Sequence, residues 1–433
     1  NKEGAAHMTT REENILLTNT NADSPMGEMI RSHWIPFMCE NELPAIDAPP
    51  QRIKLLGEDL IVFRDSGGRL GVIDEFCPHR LASLFYGRNE ESGVRCIYHG
   101  WKFDVNGTCV DMPSEPPSSA FRDCVKIKAY PVREHSGLGW VYMGSETPPP
   151  DLPVFEWMAY PQSHRHMSRW QQDCNFVQAL EGEVDEAHVA FLHKRLDNPQ
   201  VPKESLFGSY FQEAQAPRWK ILETDFGLAC GARRLVKNEN PFFWRVDLFL
   251  MPFYTMIAPS DDQNSRVWRV WVPRDNESLW SICVTYRKDG PPDATELGLW
   301  RDGAVAHRRV IPGTTTPVEN KGNDYLLDRR VQRDQSFTGI HGIRAQDAVV
   351  TESCGPIVDR TREHLASSDT PIVAMRNLML RAAKATAEGT SPRTSAGGEI
   401  YMVQSYSGLH EDPTDFDQLP VVLDTMRDRK SVV

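Results

Sequence analysis

Cys77-Pro78-His79, followed after sixteen residues by Cys96-Ile97-Tyr98-His99, constrains this chain more than any other stretch. Two thiols and two imidazoles in separate short arms must be brought face to face by the fold, and Pro78 and Gly100 beside them mark both arms as turns. The flanking runs 53–63 and 70–76 are rich in β-forming residues and are separated by Ser66-Gly67-Gly68, a hairpin signal. A small antiparallel β domain carrying two similar loops is predicted. Such a donor set suits a 2Fe-2S cluster, with thiolates on one iron and neutral imidazoles on the other, or a tetrahedral zinc ion. The order Cys, His, Cys, His departs from the usual zinc-finger order, in which both cysteines come first, so the cluster reading leads.

With thiolates on one iron and imidazoles on the other, the arrangement resembles a Rieske centre, which implies single-electron transfer. An electron carrier needs only about a hundred residues, whereas 433 allow two or three domains with a large core. Something else in the chain must use the electron. The composition, 40% hydrophobic and 25% charged, is that of an ordinary globular protein, and the longest apolar run, 248–258, is too short to span a bilayer and contains Pro252. A net charge of −12 argues against a nucleic-acid partner. Nine irregularly spaced cysteines fit a reducing compartment better than a disulfide framework, so a cytoplasmic protein is expected, with no membrane segment. Residues 1–7 precede Met8 and read as a tag remnant. The proline-dense stretch from Pro148 to Pro153 cannot be helix and sets the expected boundary, with the first domain over 8–150 and the second over 151–433. Residues 390–398, rich in Thr, Ser and Gly, read as a loop.

A second constellation begins at Asn175 and reads as a helix to His193. Phe176, Leu180, Val184, Ala187 and Phe191 recur at helical spacing and are expected to face a core, while Gln178, Glu181, Asp185 and His188 share a polar stripe. His188 and His193 are five residues apart, about 140° around a regular helix, so they can grip one ion only across a π-type or broken turn. With a carboxylate, two such imidazoles make the face that leaves open positions on ferrous iron.

The two motifs in this order resemble the catalytic subunit of a Rieske non-haem iron aromatic-ring oxygenase. The likeness is to the phthalate-dioxygenase type. It is carried further by Asp23-Ser-Pro-Met-Gly27, by Trp244-Arg245 leading into Leu250-Met-Pro-Phe-Tyr-Thr255, and by Glu352-Ser-Cys-Gly-Pro-Ile-Val-Asp359. The resemblance implies an α+β fold: an N-terminal Rieske antiparallel β domain, then a helix-grip catalytic domain with a curved antiparallel sheet and helices, assembled as a homotrimer or hexamer. It implies that Cys77, His79, Cys96 and His99 hold the cluster, and that His188 and His193 bind iron. For the third ligand Asp347 matches best, with Asp334 and Asp328 as alternatives. Asp185 matches the acidic residue that links an iron-bound His to the Rieske His of a neighbouring subunit. Asn175 matches another position near the iron, and an Asn there also suits a helix cap.

The implied activity is that of a terminal oxygenase. Electrons from NADH or NADPH pass through a separate flavin/iron-sulfur reductase, with or without a ferredoxin, to the Rieske cluster and on to mononuclear Fe(II), where O2 is activated. No G-x-G-x-x-G fingerprint is present to hold flavin or nicotinamide within the chain itself. The implied substrate is an aromatic carboxylate, phthalate-like or a lignin-derived methoxylated acid, so dihydroxylation, monohydroxylation and O-demethylation all stand open. A carboxylate is best held by a guanidinium, for which Arg233, Arg234 and Arg245 are candidates. The rival classes are a Rieske electron-transfer protein without oxygen chemistry and a zinc-stabilised structural protein. Residues 371–387 are expected to form an amphipathic helix capped by Ser368 or Asp369, followed by a tail with Pro413 and Pro420 that wraps the domain or a neighbour.

Overall fold

Tight left-handed turns cut the β-rich first half of the chain into short antiparallel strands. The computed structural model describes residues 9–197, 216–235, 242–259, 264–410 and 415–419. The tag remnant expected at 1–7, Pro413 and Pro420 lie outside the described residues. Helices α1 (Arg11–Thr18) and α2 (Pro25–Arg31) come first, followed by β1 (Trp34–Cys39), β2 (Gln51–Leu55), β3 (Glu58–Arg64) and β4 (Leu70–Asp74). Next come β5 (Arg88–Glu90), β6 (Gly93–Arg95), β7 (Lys102–Phe103) and β8 (Cys109–Asp111), then β9 (Ala129–Tyr130), β10 (Val132–His135) and β11 (Leu138–Tyr142). They form three antiparallel sheets in the orders β1-β11-β10, β2-β3-β4-β9 and β5-β6-β7-β8. The run 53–63, expected as one strand, is a hairpin: Leu56 (φ 50°) and Gly57 (φ 82°) reverse the chain between β2 and β3. At the expected β3–β4 hairpin, Asp65 Oδ1 accepts from the Gly67 and Arg69 amides at 3.0 and 2.8 Å and sets the turn.

The second half opens with β12 (Arg165–Gln172), α3 (Phe176–Val184) and α4 (Val189–Leu192). Strands β13 (Arg218–Thr224), β14 (Gly227–Leu235), β15 (Phe242–Leu250), β16 (Tyr254–Ile257), β17 (Ser265–Pro273) and β18 (Leu279–Arg287) follow. Helices α5 (Ala294–Arg301), α6 (Arg329–Asp334), α7 (Ile343–Ser353) and α8 (Thr370–Ala387), then β19 (Tyr406–His410), complete the chain as described. One large antiparallel sheet runs β12-β18-β17-β16-β15-β14-β13, and β19 also pairs with β15, so this part of the C-terminal tail wraps its own domain. The α+β architecture is the one expected. In α8, Ile372, Met375 and Met379 are buried as expected, but Asp369 accepts from the Ala366 amide instead of capping the helix.

Helix α3 lies against β15, β16 and β17 on one side and against α1, α7 and α8 on the other. Enclosure on both sides buries much of the polar stripe. Gln178 is buried and donates to the Thr351 and Gly355 carbonyls at 2.9 and 3.0 Å, while Phe191, expected inside, is 45% exposed. The helix stops at Val184, so its periodicity does not extend to Phe191. Phe176, Leu180 and Val184 join a main core that also takes in Met29 of α2, Trp34 of β1, Trp140 of β11 and Met375 of α8. This core runs across the proline stretch at 148–153, where Trp34 Nε1 donates to the Pro150 carbonyl at 2.8 Å. A smaller core around Phe63, Val94, Trp101 and Phe103 includes Cys77 and Cys96. None of the nine cysteines is in a disulfide, and among the described residues no helix is long and apolar enough to cross a membrane.

Glu181 fastens α3 to the helical layer. Its Oε1 accepts from Arg360 Nε at 2.9 Å and Arg376 Nε at 2.7 Å, and Arg376 also holds Glu363. Burial opposes its ionisation, but Arg360 and then Arg376 outweigh that and hold the carboxyl below its usual range. A lowered folded pKa contributes stability above the ordinary value of about 4.3, and that stability is lost as pH falls through the folded value. Glu181→Gln should therefore cost about 3 kcal/mol at pH 7, by taking from buried Arg360 its carboxylate partner and leaving Arg376 to Glu363. The urea midpoints of the two proteins should differ at pH 7 and converge as pH falls through the lowered folded value; an equal gap at both ends would remove the ionic account.

Candidate metal centres and catalytic cavity

The two Cys-His arms fold alike. Cys77 N donates to Ala82 O at 2.9 Å and Leu81 N to Cys77 O at 2.9 Å; Cys96 N donates to Trp101 O at 2.8 Å and Gly100 N to Cys96 O at 3.0 Å. Leu81 (φ 59°) and Gly100 (φ 78°) occupy the same left-handed position of their loops, four residues after each cysteine. The two thiols are buried and meet, while the His79 and His99 rings stand 4.4 Å apart at an angle of 64°. His79 stacks on Trp101 at 4.4 Å, which fixes its ring. His99 Nδ1 is buried without a hydrogen-bond partner, a donor atom left for a metal. Burial above all, with Cys96 adding to it, pushes the Cys77 thiol up to about 11, so it ionises only against a cation. This donor set, two buried thiols beside two ordered imidazoles, fits an iron-sulfur cluster.

The second centre forms where α3 breaks. Asp185 leaves the helix with extended geometry (φ −90°, ψ 102°) and its Oδ1 accepts from the Ala187 amide at 2.7 Å, so α4 starts afresh and His188 and His193 turn to one side. The break is held from the sheet: Arg234 donates to the Glu186 carbonyl at 2.6 Å and Arg245 Nε to Glu186 Oε1 at 2.9 Å. Asp347 comes from the second turn of α7, and its Oδ1 lies 3.4 Å from His188 Nε2 and 3.2 Å from His193 Nε2. Among the described residues these three form the group whose donor atoms fall within 4.8 Å of one another. Two imidazoles and one carboxylate at this separation fit a single ferrous ion with open positions. Asp328, by contrast, caps α6, and Asp334 pairs with Arg333 on the surface.

Partners outside the triad orient each donor, and sequence reading missed most of them. His193 Nδ1 is 2.7 Å from Gln346 Oε1, whose amide donates to Ile340 O at 2.9 Å, leaving Nε2 to face Asp347. Arg344 binds Asp347 Oδ2 and also Glu183, which is held in turn by Arg269 and, at 2.9 Å, by Thr255 Oγ1. Burial works against charge on Asp347, but Arg344 first, with His193 and His188, holds it well below the usual carboxylate range. Burial likewise opposes charge on His188, yet Asp185 and Asp347 lift it to about 10. Asp185 Oδ2 lies 3.5 Å from His188 Nδ1 and is partly exposed. Asn175 is fully buried: its Oδ1 caps α3 through the Val177 amide, and its Nδ2 donates to Thr18 O and Asn276 O at 3.1 and 2.7 Å.

A cavity of about 320 Å³ opens beside His188 and His193. Ile257, Ala258, Val267, Trp300 and Val305 supply its apolar wall, and Arg245, Arg269 and Arg344 its cationic one. Of the three arginines expected from sequence, only Arg245 lines it. Arg234 is buried behind, against Glu186, and Arg233 lies on the other face of β14 with its guanidinium 5.0 and 5.6 Å from the Phe242 and Trp244 rings. Cys354 sits exposed at the end of α7.

Residues 33–131 match the Rieske [2Fe-2S] domain family, and residues 141–431 match the family described as LigXa C-terminal domain like. The chain belongs to the catalytic subunits of the Rieske non-haem iron oxygenases. It is 37% identical to the 3-chlorobenzoate-3,4-dioxygenase oxygenase subunit of Comamonas testosteroni, over 95% of this chain and 97% of that one. To the phthalate 4,5-dioxygenase oxygenase subunit of Pseudomonas putida it is also 37% identical, over 89% and 88%. The reduced complex between oxygenase and ferredoxin in carbazole 1,9a-dioxygenase shares the fold, with a TM-score of 0.55 at 19% identity over 87% of this chain and 97% of that one. The protein is thus a terminal oxygenase whose cofactors are a Rieske cluster and a mononuclear iron. Because the match extends through the catalytic domain, the readings as a simple electron carrier or a zinc-stabilised protein fall away.

Proposed function

We propose that this oxygenase hydroxylates the ring of an aromatic carboxylate, with Cys77, His79, Cys96 and His99 holding the cluster and His188, His193 and Asp347 the mononuclear iron. The observation that carries the reading is the convergence of two imidazoles and one carboxylate oxygen on a cavity with an apolar wall and an arginine, Arg245. Bound at the triad, ferrous iron supplies O2 activation with electrons from the cluster. The chain's own residues do the rest. Ile257, Val267, Trp300 and Val305 pack a ring and exclude water, while Arg245 turns a carboxylate away from the iron and presents the opposite edge to it. Both relatives named above are dioxygenases of aromatic acids, which favours dihydroxylation over O-demethylation.

The same reading makes the working form a homotrimer or hexamer. The cluster loops are ringed by exposed apolar side chains, Leu81 (71%), Ile97 (63%), Tyr98 (52%) and Phe121 (51%), a patch suited to burial against a second copy. Asp185, partly exposed and already facing His188, is placed to meet a Rieske histidine arriving from that copy. A flavin/iron-sulfur reductase using NADH or NADPH feeds the cluster.

The test is turnover of the purified oxygenase with a reductase, NADH and a panel of 3-chlorobenzoate, phthalate and methoxybenzoates. A cis-dihydrodiol from a carboxylated arene supports the reading; formaldehyde from methoxybenzoates alone would move it to O-demethylation, and inertness toward every carboxylated arene would sink it. Arg245→Met should raise KM for the accepted acid about 10–100-fold, the loss of a charge-assisted bond, and should also lower kcat, because Arg245 holds Glu186 at the break before His188.

A further inference from the structure

Inserting oxygen from O2 into an organic substrate consumes two electrons and two protons, whether both atoms enter the ring or one leaves as water. The electrons arrive through the cluster; with substrate filling the mouth of the cavity, a second route for protons runs through its buried side chains. Thr285 lines that cavity and is 1% exposed. Its Oγ1 lies 2.8 Å from His307 Nε2, and His307 Nδ1 lies 2.6 Å from Ser168 Oγ on β12. His307 itself is 1% exposed, whereas Ser168 is partly exposed at the far end. His166, two residues from Ser168, sets its ring 4.7 Å from that of His307 and lines a second cavity on this outer side with Arg165 and Arg301.

We propose that Ser168, His307 and Thr285 form a proton relay from the outer face of the sheet to the catalytic cavity. Each ring nitrogen of His307 meets a hydroxyl, and a hydroxyl can donate and accept at once, so the file is continuous for a proton. In one passage Ser168 gives its hydroxyl hydrogen to Nδ1 and His307 gives the hydrogen on Nε2 to Thr285. The Thr285 hydroxyl hydrogen goes to the oxygen being reduced in the cavity, and solvent refills Ser168. The imidazole is left as its other tautomer and is reset by proton exchange with water at both ends of the file when the cavity opens for product release, so each turnover draws one of its two protons along this path. Burial foremost, with His166 and Arg269, holds the His307 imidazole well below its ordinary value, so it passes protons without storing one. The relay rests on the iron being held by His188, His193 and Asp347.

Ser168→Ala and Thr285→Val remove the two hydroxyls with little change of volume, and Ser168→Thr keeps one. The chemically reduced holoenzyme is mixed with O2 in H2O and in D2O with 3-chlorobenzoate present, following cluster reoxidation, hydrogen peroxide and iron content. Both hydroxyl-less variants should keep their iron and reoxidise about tenfold more slowly, the scale of a lost proton-transfer step, with an altered solvent isotope effect. More peroxide should be released, and Ser168→Thr should behave as wild type. Wild-type rates and isotope effects in both, or an effect confined to Thr285→Val, would overturn the relay. Iron lost from the variants would make the hydroxyls structural and overturn it too, whereas a wild-type protein lacking the third iron would fault the ligand assignment instead.

Discussion

Asp347→Ala protein should keep its Rieske visible spectrum and about two irons per chain while losing the third iron and all hydroxylation. Asp347 Oδ1 faces both imidazole Nε2 atoms, and among the described residues no other carboxylate joins that group: Asp185 approaches His188 from its Nδ1 side. Truncation removes the anionic donor and leaves Arg344, until then compensated, pointing its charge at the place where a cation must bind. A shifted ligand cannot easily substitute, because Gln346 pins His193 and the sheet arginines pin the break before His188. Iron and acid-labile sulfide analysis beside the wild type reads the result directly. An unchanged iron count in Asp347→Ala would send the search for the third ligand elsewhere.

Arg344→Leu should lower both stability and iron affinity. The guanidinium lies between the partly buried Asp347 and the buried Glu183, on the way from α7 to α3. Its loss strands two negative charges against a single remaining buried cation, Arg269, at a cost of about 3–5 kcal/mol. Asp347 is also freed to rotate, and loss of such a supporting partner typically weakens metal binding about 10–100-fold. Chemical denaturation of the apo and iron-loaded forms separates the two effects. Arg344→Lys, which keeps one charge but not the fork, should recover stability more fully than iron affinity. A Leu variant that denatures like wild type would show Glu183 and Asp347 finding other partners.

What was legible in the sequence was local. The cluster arms announce themselves because ligand, proline and glycine sit within a few residues of each other, and the broken helix follows from two histidines at a spacing no regular helix can bring together. The missed hairpin inside 53–63 carried one sign, Gly57, beside a leucine in a left-handed conformation that sequence gives no reason to expect. Asp347 was reached through family resemblance alone, since its pairing with His188 spans most of the catalytic domain. Arg344 and Glu183, 161 residues apart, leave no periodic trace, and neither do Glu186 and Arg245, 59 apart. Gln178 and Glu181 read from sequence as part of a candidate functional stripe with Asp185 and His188, but they hold the helix to its neighbours, through the Thr351 carbonyl and Arg360.

The cavity joins two walls of different ancestry in the chain. The iron ligands and their supports come from α3, α4 and α7, tied down by arginines of the sheet, whereas Ile257, Val267, Trp300 and Val305 come from β16, β17 and the end of α5 and the loop after it, and hold no metal donor. Exchanging those four side chains reshapes the chamber while the redox machinery stays as it is. A scaffold divided in this way can drift from one arene to another through single substitutions, each tolerated on arrival, and an engineer can follow the same route by randomising these four positions and leaving the arginine lattice untouched.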